Sequence, residues 1–391
     1  MASCQSGDDG EITDAALGRQ DSQTHLTILP CARPAAALQP YPRYSVDMDN
    51  NPALVHALRG GIIESSHRGA VAVVDADGAV HTQLGDIDRP IFPRSAVKVL
   101  QALPLVASGA ADRWQLSNEE LALACASHGG EPRHALTAAS MLAKAGVDAS
   151  ALECGAHWPY HDGSIKALAA AGAQPTALNN NCSGKHSGFV CLGCLMAEDK
   201  DKRAFLSGYV LPDHPVMREV TAALQASTGY NLSAAPVGID GCSIPTFAVP
   251  LRHLAHAFAR LATGVGLSPE HQLAAKRLRA AVAAAPYMVA GSGRFDSRLM
   301  ERLGERVFCK VGAEGVYCAA LPELGLGVAI KMDDGNTSRA CEVAMAALIE
   351  RLLPLSDVDA RFVRGFSDVS LSNWNGLEVG QLRAASELRA R

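Results

Sequence analysis

Aromatic residues are scarce in this chain, only 5% of its 391 positions, so the core must come from aliphatic and small side chains. Charge is sparse as well, at 19% Asp, Glu, Lys and Arg. The balance is a net charge of −5 with no Lys/Arg cluster, which gives nucleic acid or an anionic membrane nothing to hold. No stretch approaches the roughly 18 unbroken apolar residues of a membrane span. The opening residues, MASCQSGDDGEITDAALGRQD, lack a basic start followed by an apolar core, so no secretory leader is expected. There is also no compact, even-numbered set of cysteines. The eleven present are scattered, many within apolar runs such as LALACAS and YCAAL. That pattern suits buried thiols in a reducing compartment better than a disulfide framework, and the cytoplasm is the expected location.

What is present is ample hydrophobic material, 48% of the chain, enough for one large domain. Residues 1–50 are polar, Pro-containing and aperiodic, and read as a flexible extension. Residues 51–391 read as a single catalytic domain. Two β-rich runs, Ala70–Val74 and Ala79–Leu84, meet at Asp77-Gly78 and predict a hairpin. Ser95 to Ala107 reads as a helix bent by Pro104. Asn118–Cys125 follows Ser117 and Glu120 at capping-box spacing, and His134–Ala145, Phe189–Met196 and Pro269–Ala285 read as further helices. Strands return at Gly315–Leu321 and Leu326–Lys331, and Thr337–Leu353 reads as a long helix. The expected architecture is α/β in the α+β sense: one sheet built from N- and C-terminal strands, flanked by helices, with a helical insert.

PRSAVK places Ser95 and Lys98 at i and i+3 on the first turn of a helix. A serine hydroxyl needs a base to become a nucleophile, and a buried lysine beside positive charge can be that base. Arg94, next to the serine, could bind a carboxylate or keep Lys98 neutral. Chance alone gives roughly one or two S-x-x-K matches in a chain this long, so the spacing is not diagnostic by itself. CASHGG adds Ser127 on a loop, and CKVGAEG adds Lys310 in a K-x-G pattern leading into a strand. The three parts together resemble the layout of penicillin-binding proteins and serine β-lactamases, which points to acyl transfer.

A second constellation lies in NNNCSGKHSG and GIDGCSIP. Cys182, Lys185 and His186 come from the first, Asp240 and Cys242 from the second. Two thiols and an imidazole would make a reasonable zinc site, and two buried thiols are the alternative. Asp240 could support a metal ligand or anchor a substrate ammonium. Cys191 and Cys194 lie inside an apolar helix and read as core. His134, His253 and His256 read as surface or packing residues.

The ordered segments RGGIIESSHRG, PRSAVKVLQALPL, LALACASHGGEPRH, NNCSGKHSGF, LPDHPVM, GIDGCSIPTFAVPL, MVAGSGRFD, KVGAEGVY and IKMDDGN resemble the L-asparaginase II family of the Rhizobium etli inducible type. The resemblance implies a fold related to serine β-lactamases and glutaminases, a homodimer, and hydrolysis of L-asparagine to aspartate and ammonia. It implies two Ser–Lys pairs, Ser95 with Lys98 and Ser127 with Lys310. It also implies zinc held by Cys182, Lys185 and Cys242, with Arg94, His186 and Asp240 near metal or substrate. Rival readings are a glutaminase or β-lactamase-like Ser–Lys hydrolase, a zinc hydrolase, and a zinc-binding regulatory protein without catalysis.

Overall fold

A computed structural model describes residues 51–389. The extension expected over residues 1–50 lies outside them. Eight strands form one antiparallel sheet: β1 (Ala53–Arg59), β2 (Ile62–Asp75), β3 (Val80–Leu84), β4 (Phe308–Gly312), β5 (Val316–Leu321), β6 (Leu326–Met332), β7 (Asp368–Ser372) and β8 (Glu378–Ala384). The spatial order is β7-β8-β1-β2-β6-β5-β4, with β3 also on β2. Strands from both ends of the described residues therefore build the sheet, as the pattern predicts.

β2 carries the architecture. Its first half pairs with β1, from Ile62 opposite Arg59 to Arg68 opposite Ala53. Its second half pairs with β6, from Gly69 opposite Met332 to Asp75 opposite Leu326, and with β3 on its other side. Gly69 sits at the handover. A Cβ there would lie 2.4 Å from the Lys331 carbonyl oxygen, so only glycine lets β6 close in. The predicted hairpin is present, but the strand starts earlier than Ala70. The polar run Glu64–His67 hides it, because that half is mostly exposed.

Six helices position the site: α1 (Lys98–Gln101), α2 (Asn118–Ala124), α3 (Ser183–Met196), α4 (Leu251–Thr263), α5 (Phe295–Leu303) and α6 (Glu342–Leu352). α2 has the predicted capping box, with Ser117 accepting from the Glu120 N–H and Glu120 accepting from the Ser117 N–H. α3 begins earlier than the apolar run suggests, so the CSGKH motif forms its first turns. The single helix expected from Ser95 to Ala107 is instead three pieces: a 3-10 turn at Arg94–Val97, α1, and a segment at Leu103–Ala107. Pro104, lacking an N–H and crowding the carbonyl four residues earlier, forces the second break. The long helix expected from Thr337 opens as a π-helical turn, Thr337–Cys341, capped by Asn336, before α6. α4 packs on β2, β5 and β6. β4 and β5 are buried along their whole length and β6 nearly so, which requires helices on both faces.

Candidate active site

Three pieces of backbone converge at one end of this scaffold. The Arg94–Val97 turn packs on the edge strand β4, where Gly312 permits the approach. A Cβ on Gly312 would meet the Pro93 carbonyl at 2.6 Å. The Ser127 loop leaves α2 and is pinned by its own N–H to the Val289 carbonyl at 2.9 Å. The start of α3 supplies the third piece.

Arg94 adopts φ of +52°, a left-handed conformation costing a non-glycine residue roughly 1–3 kcal/mol. Its guanidinium is fixed at the same time, donating from Nε to Asp240 Oδ1 at 2.8 Å. Burial alone would raise the Asp240 carboxyl; Lys185, Arg94 and the Gly241 N–H outweigh it and hold the group below its ordinary value. The next residue, Ser95, is partly exposed, and its hydroxyl forms no hydrogen bond among the described residues.

Lys98 is 1% exposed. Its Nζ donates to the Ala126 carbonyl at 2.6 Å, to Ser127 Oγ at 2.9 Å and to the Asn181 carbonyl at 3.3 Å. Burial lowers its proton affinity, and Lys185 adds to that, while the Cys182 thiolate opposes both. So Lys98 reaches the serine on the neighbouring loop, whereas the expected pairing gave Ser127 to Lys310. Lys310 is fully buried on β4, and its Nζ donates to the Val311 carbonyl at 2.9 Å. Burial brings Lys310 down to about 7 against the pull of the Asp296 carboxylate.

Cys182 and Cys242 come together from separate loops and share a hydrogen bond. That bond holds Cys182 well below its ordinary value, with Lys98 and Lys185 helping, and raises Cys242. Lys185 Nζ donates to Cys242 Sγ at 3.0 Å. Burial alone would lower the Lys185 amine; the sulfurs of Cys242 and Cys182 outweigh it and keep the ammonium protonated. Among the described residues no three His, Cys, Asp or Glu side chains form a metal-binding group. The nitrogen donor beside the two sulfurs is the Lys185 amine. Two sulfurs and one amine match a three-ligand zinc site with an open fourth position, provided the amine gives up its proton. His186, one residue on, points elsewhere: its Nδ1 lies 2.7 Å from the Tyr209 hydroxyl, and its ring packs near Phe189.

Some contributors were invisible in the sequence. Asn181 accepts from Lys98 through its carbonyl, and its side-chain oxygen lies 3.4 Å from Cys182 Sγ. Asn180 accepts from the Cys182 N–H and donates to the Cys154 and Gly155 carbonyls, fixing the loop. Glu131 accepts from the Ser292 N–H and hydroxyl, tying the Ser127 loop to the segment before α5. The run of three asparagines was the only signal. Cys191 and Cys194 are buried in α3, as read, and the nine described cysteines are all free and buried.

The family model described as L-asparaginase II matches residues 55–384. No curated protein matches the chain significantly. Among solved structures, Mglu in its native form is 18% identical at a TM-score of 0.31, over 74% of this chain and 62% of its own. Mglu in an L-glutamate binding form is 17% identical at a TM-score of 0.32, over 74% and 62%. A beta-lactamase from Mycobacterium bovis is 16% identical at a TM-score of 0.31, over 68% and 88%. The chain thus spans about three fifths of the Mglu length, and TM-scores this low carry no weight for activity.

Proposed function

This chain belongs to the L-asparaginase II family, and from that premise we propose that it hydrolyses the side-chain amide of L-asparagine to L-aspartate and ammonia. The family supports an amidohydrolase acting on a small amide; asparagine itself is our reading. The observation that carries the mechanism is Lys98: buried, low in proton affinity, one turn after Ser95 and bonded to Ser127.

In this reading Ser95 Oγ attacks the amide carbonyl carbon and its proton passes to Lys98. Backbone N–H groups near Ser95 stabilise the oxyanion. Lys98, through Ser127, returns the proton to the amide nitrogen, the C–N bond breaks and ammonia leaves. Water then attacks the acyl-enzyme by the same proton route, releasing aspartate and restoring Ser95. Lys310 helps hold charge and protons on the β4 side. Arg94, His186 and Asp240 shape the substrate and metal surroundings. Cys182, Lys185 and Cys242 would hold zinc, which when bound supplies orientation and polarisation of the substrate.

A second arrangement has a specific observation behind it: the Lys98–Ser127 bond makes Ser127 the serine already in contact with a base. Mass spectrometry of acyl-enzyme trapped from L-asparagine separates the two. Ser95→Ala should lose kcat by about 10³-fold or more and trap no adduct. An adduct mapped to Ser127 would transfer the nucleophile there. Ammonia release from glutamine, or nitrocefin turnover, exceeding that from asparagine would instead favour the rival hydrolases. Stoichiometric zinc with no turnover of any amide would favour a regulatory protein.

The metal reading has its own readout. Purified protein should carry about one zinc per chain by elemental analysis, and Cys182→Ser should lose most of it. Equal zinc in both would remove these ligands. The same proposal places the enzyme in the cytoplasm, where the buried thiols stay reduced, and takes a homodimer as the assembly. Light scattering compares its mass with twice the chain's 40.9 kDa.

A further inference from the structure

β4 is the last strand of the sheet, so among the described residues one of its sides has no partner strand. In an antiparallel strand, a residue's N–H and C=O point to the same side. Both backbone groups of Val311 are taken by side chains. Asp296 Oδ2 accepts from its N–H at 3.4 Å, and Lys310 Nζ donates to its C=O at 2.9 Å. One residue of the sheet edge therefore gathers a carboxylate and an amine around it.

We propose that Asp296 is a positioning residue for Lys310, holding its amine at the open edge of β4 and supplying its counter-charge. This rests on Lys310 belonging to the reaction centre. Asp296 is 2% exposed and Lys310 fully buried, so neither is neutralised by water. Besides the Val311 N–H, the only hydrogen-bond partner of the carboxylate among the described residues is Cys309 Sγ at 4.0 Å, while Lys310, Arg294 and Glu342 act on it by charge. An ionised carboxylate cannot stay in the interior on one long hydrogen bond; it needs a cation or a proton. Burial raises the Asp296 carboxyl, and burial lowers Lys310, while each partner opposes the other's shift. The titrations of the two groups are thus linked.

Other groups bear on Lys310 from every side. Lys98 on α1 and Arg294 before α5 disfavour its charge, and His128 after α2, kept neutral chiefly by burial, faces it uncharged. The Cys182 thiolate favours it, and Cys125, Cys309 and Cys318 lie around it as neutral thiols, their values raised by burial. Asp296 supplies the strongest pull toward the protonated form.

The bland alternative is that Asp296 merely caps the edge strand. Asp296→Asn separates the two, because its amide oxygen still accepts from Val311 while the charge is gone. With ¹³C-labelled lysine, the Lys310 signal, assigned by its loss in Lys310→Met, is followed against pH in unsubstituted and Asp296→Asn protein. Loss of the neighbouring anion should move its midpoint down by about one unit or more. The acid limb of kcat/KM on L-asparagine should move in the same direction. An unmoved Lys310 midpoint overturns the inference. A midpoint that moves while Lys310→Met keeps the unsubstituted acid limb sustains the pair and sinks Lys310's catalytic role instead. Should Asp296→Asn fail to fold, the unsubstituted protein decides. The Asp296 carboxyl and Lys310 signals should share inflections, and two independent single steps overturn the proposal.

Discussion

Glu342 is a case in which burial outweighs the neighbours at a single residue. It opens α6, and its carboxylate accepts no hydrogen bond among the described residues. Burial first, then the nearby Asp296 charge, raise its carboxyl from 4.5 to about 7 against the pull of Arg294. A raised folded-state value stabilises fully below pH 4.5, and that contribution is lost as pH rises through 7. Glu342→Gln, neutral at every pH, should therefore match the parent near pH 4.5 and be more stable by about 2 kcal/mol at pH 8. Thermal melts at the two pH values check this, and a difference that ignores pH would refute it. The individual site residues were more legible than their partners. Ser95, Lys98, Ser127 and Lys310 stand out by spacing and loop chemistry. Yet spacing gave no hint that Lys98 reaches Ser127, since that contact crosses 29 positions. Asn181 acts through a backbone carbonyl, which no side-chain pattern advertises. Asp296 sits in GSGRFD, which reads as an ordinary turn until burial is known.

The elements most faithfully read were those with local punctuation: the Asp77-Gly78 hairpin, the Ser117 cap and the Pro269 helix start. Those missed are polar or half-exposed strands, such as the first half of β2 and all of β7, whose partners lie far away in sequence. Element contact also offers a direct lever on the site. Gly312→Ala would drive a methyl against the Pro93 carbonyl and displace the turn that carries Ser95. A shift of this kind should cut kcat/KM by about 10²-fold, because reacting groups tolerate little misplacement. Steady-state kinetics beside a melting curve will show it. Intact turnover would mean that β4 does not hold the nucleophile turn.

At the scale of the molecule, the C-terminal hairpin completes the sheet. β8 pairs along β1, the Ala385 N–H donates to the Leu54 carbonyl, and Leu388 is fully buried. Truncation after Phe366 strips one edge of β1 and opens the core. Such a chain should lose its cooperative melt by circular dichroism and accumulate in inclusion bodies. A soluble truncated protein with the parental melting temperature would show β7 and β8 to be dispensable.

The register of β1 also has a meaning in time. Val55 pairs with Ala384, 329 positions later. At roughly 5–20 residues per second, a ribosome leaves that edge of β1 waiting about 15–65 s for its partner. During this interval β1 and β2 can form their hairpin, but a row of unpaired amides faces the crowded surroundings of the nascent chain. β8 is thus made hundreds of residues after the strand whose edge it closes.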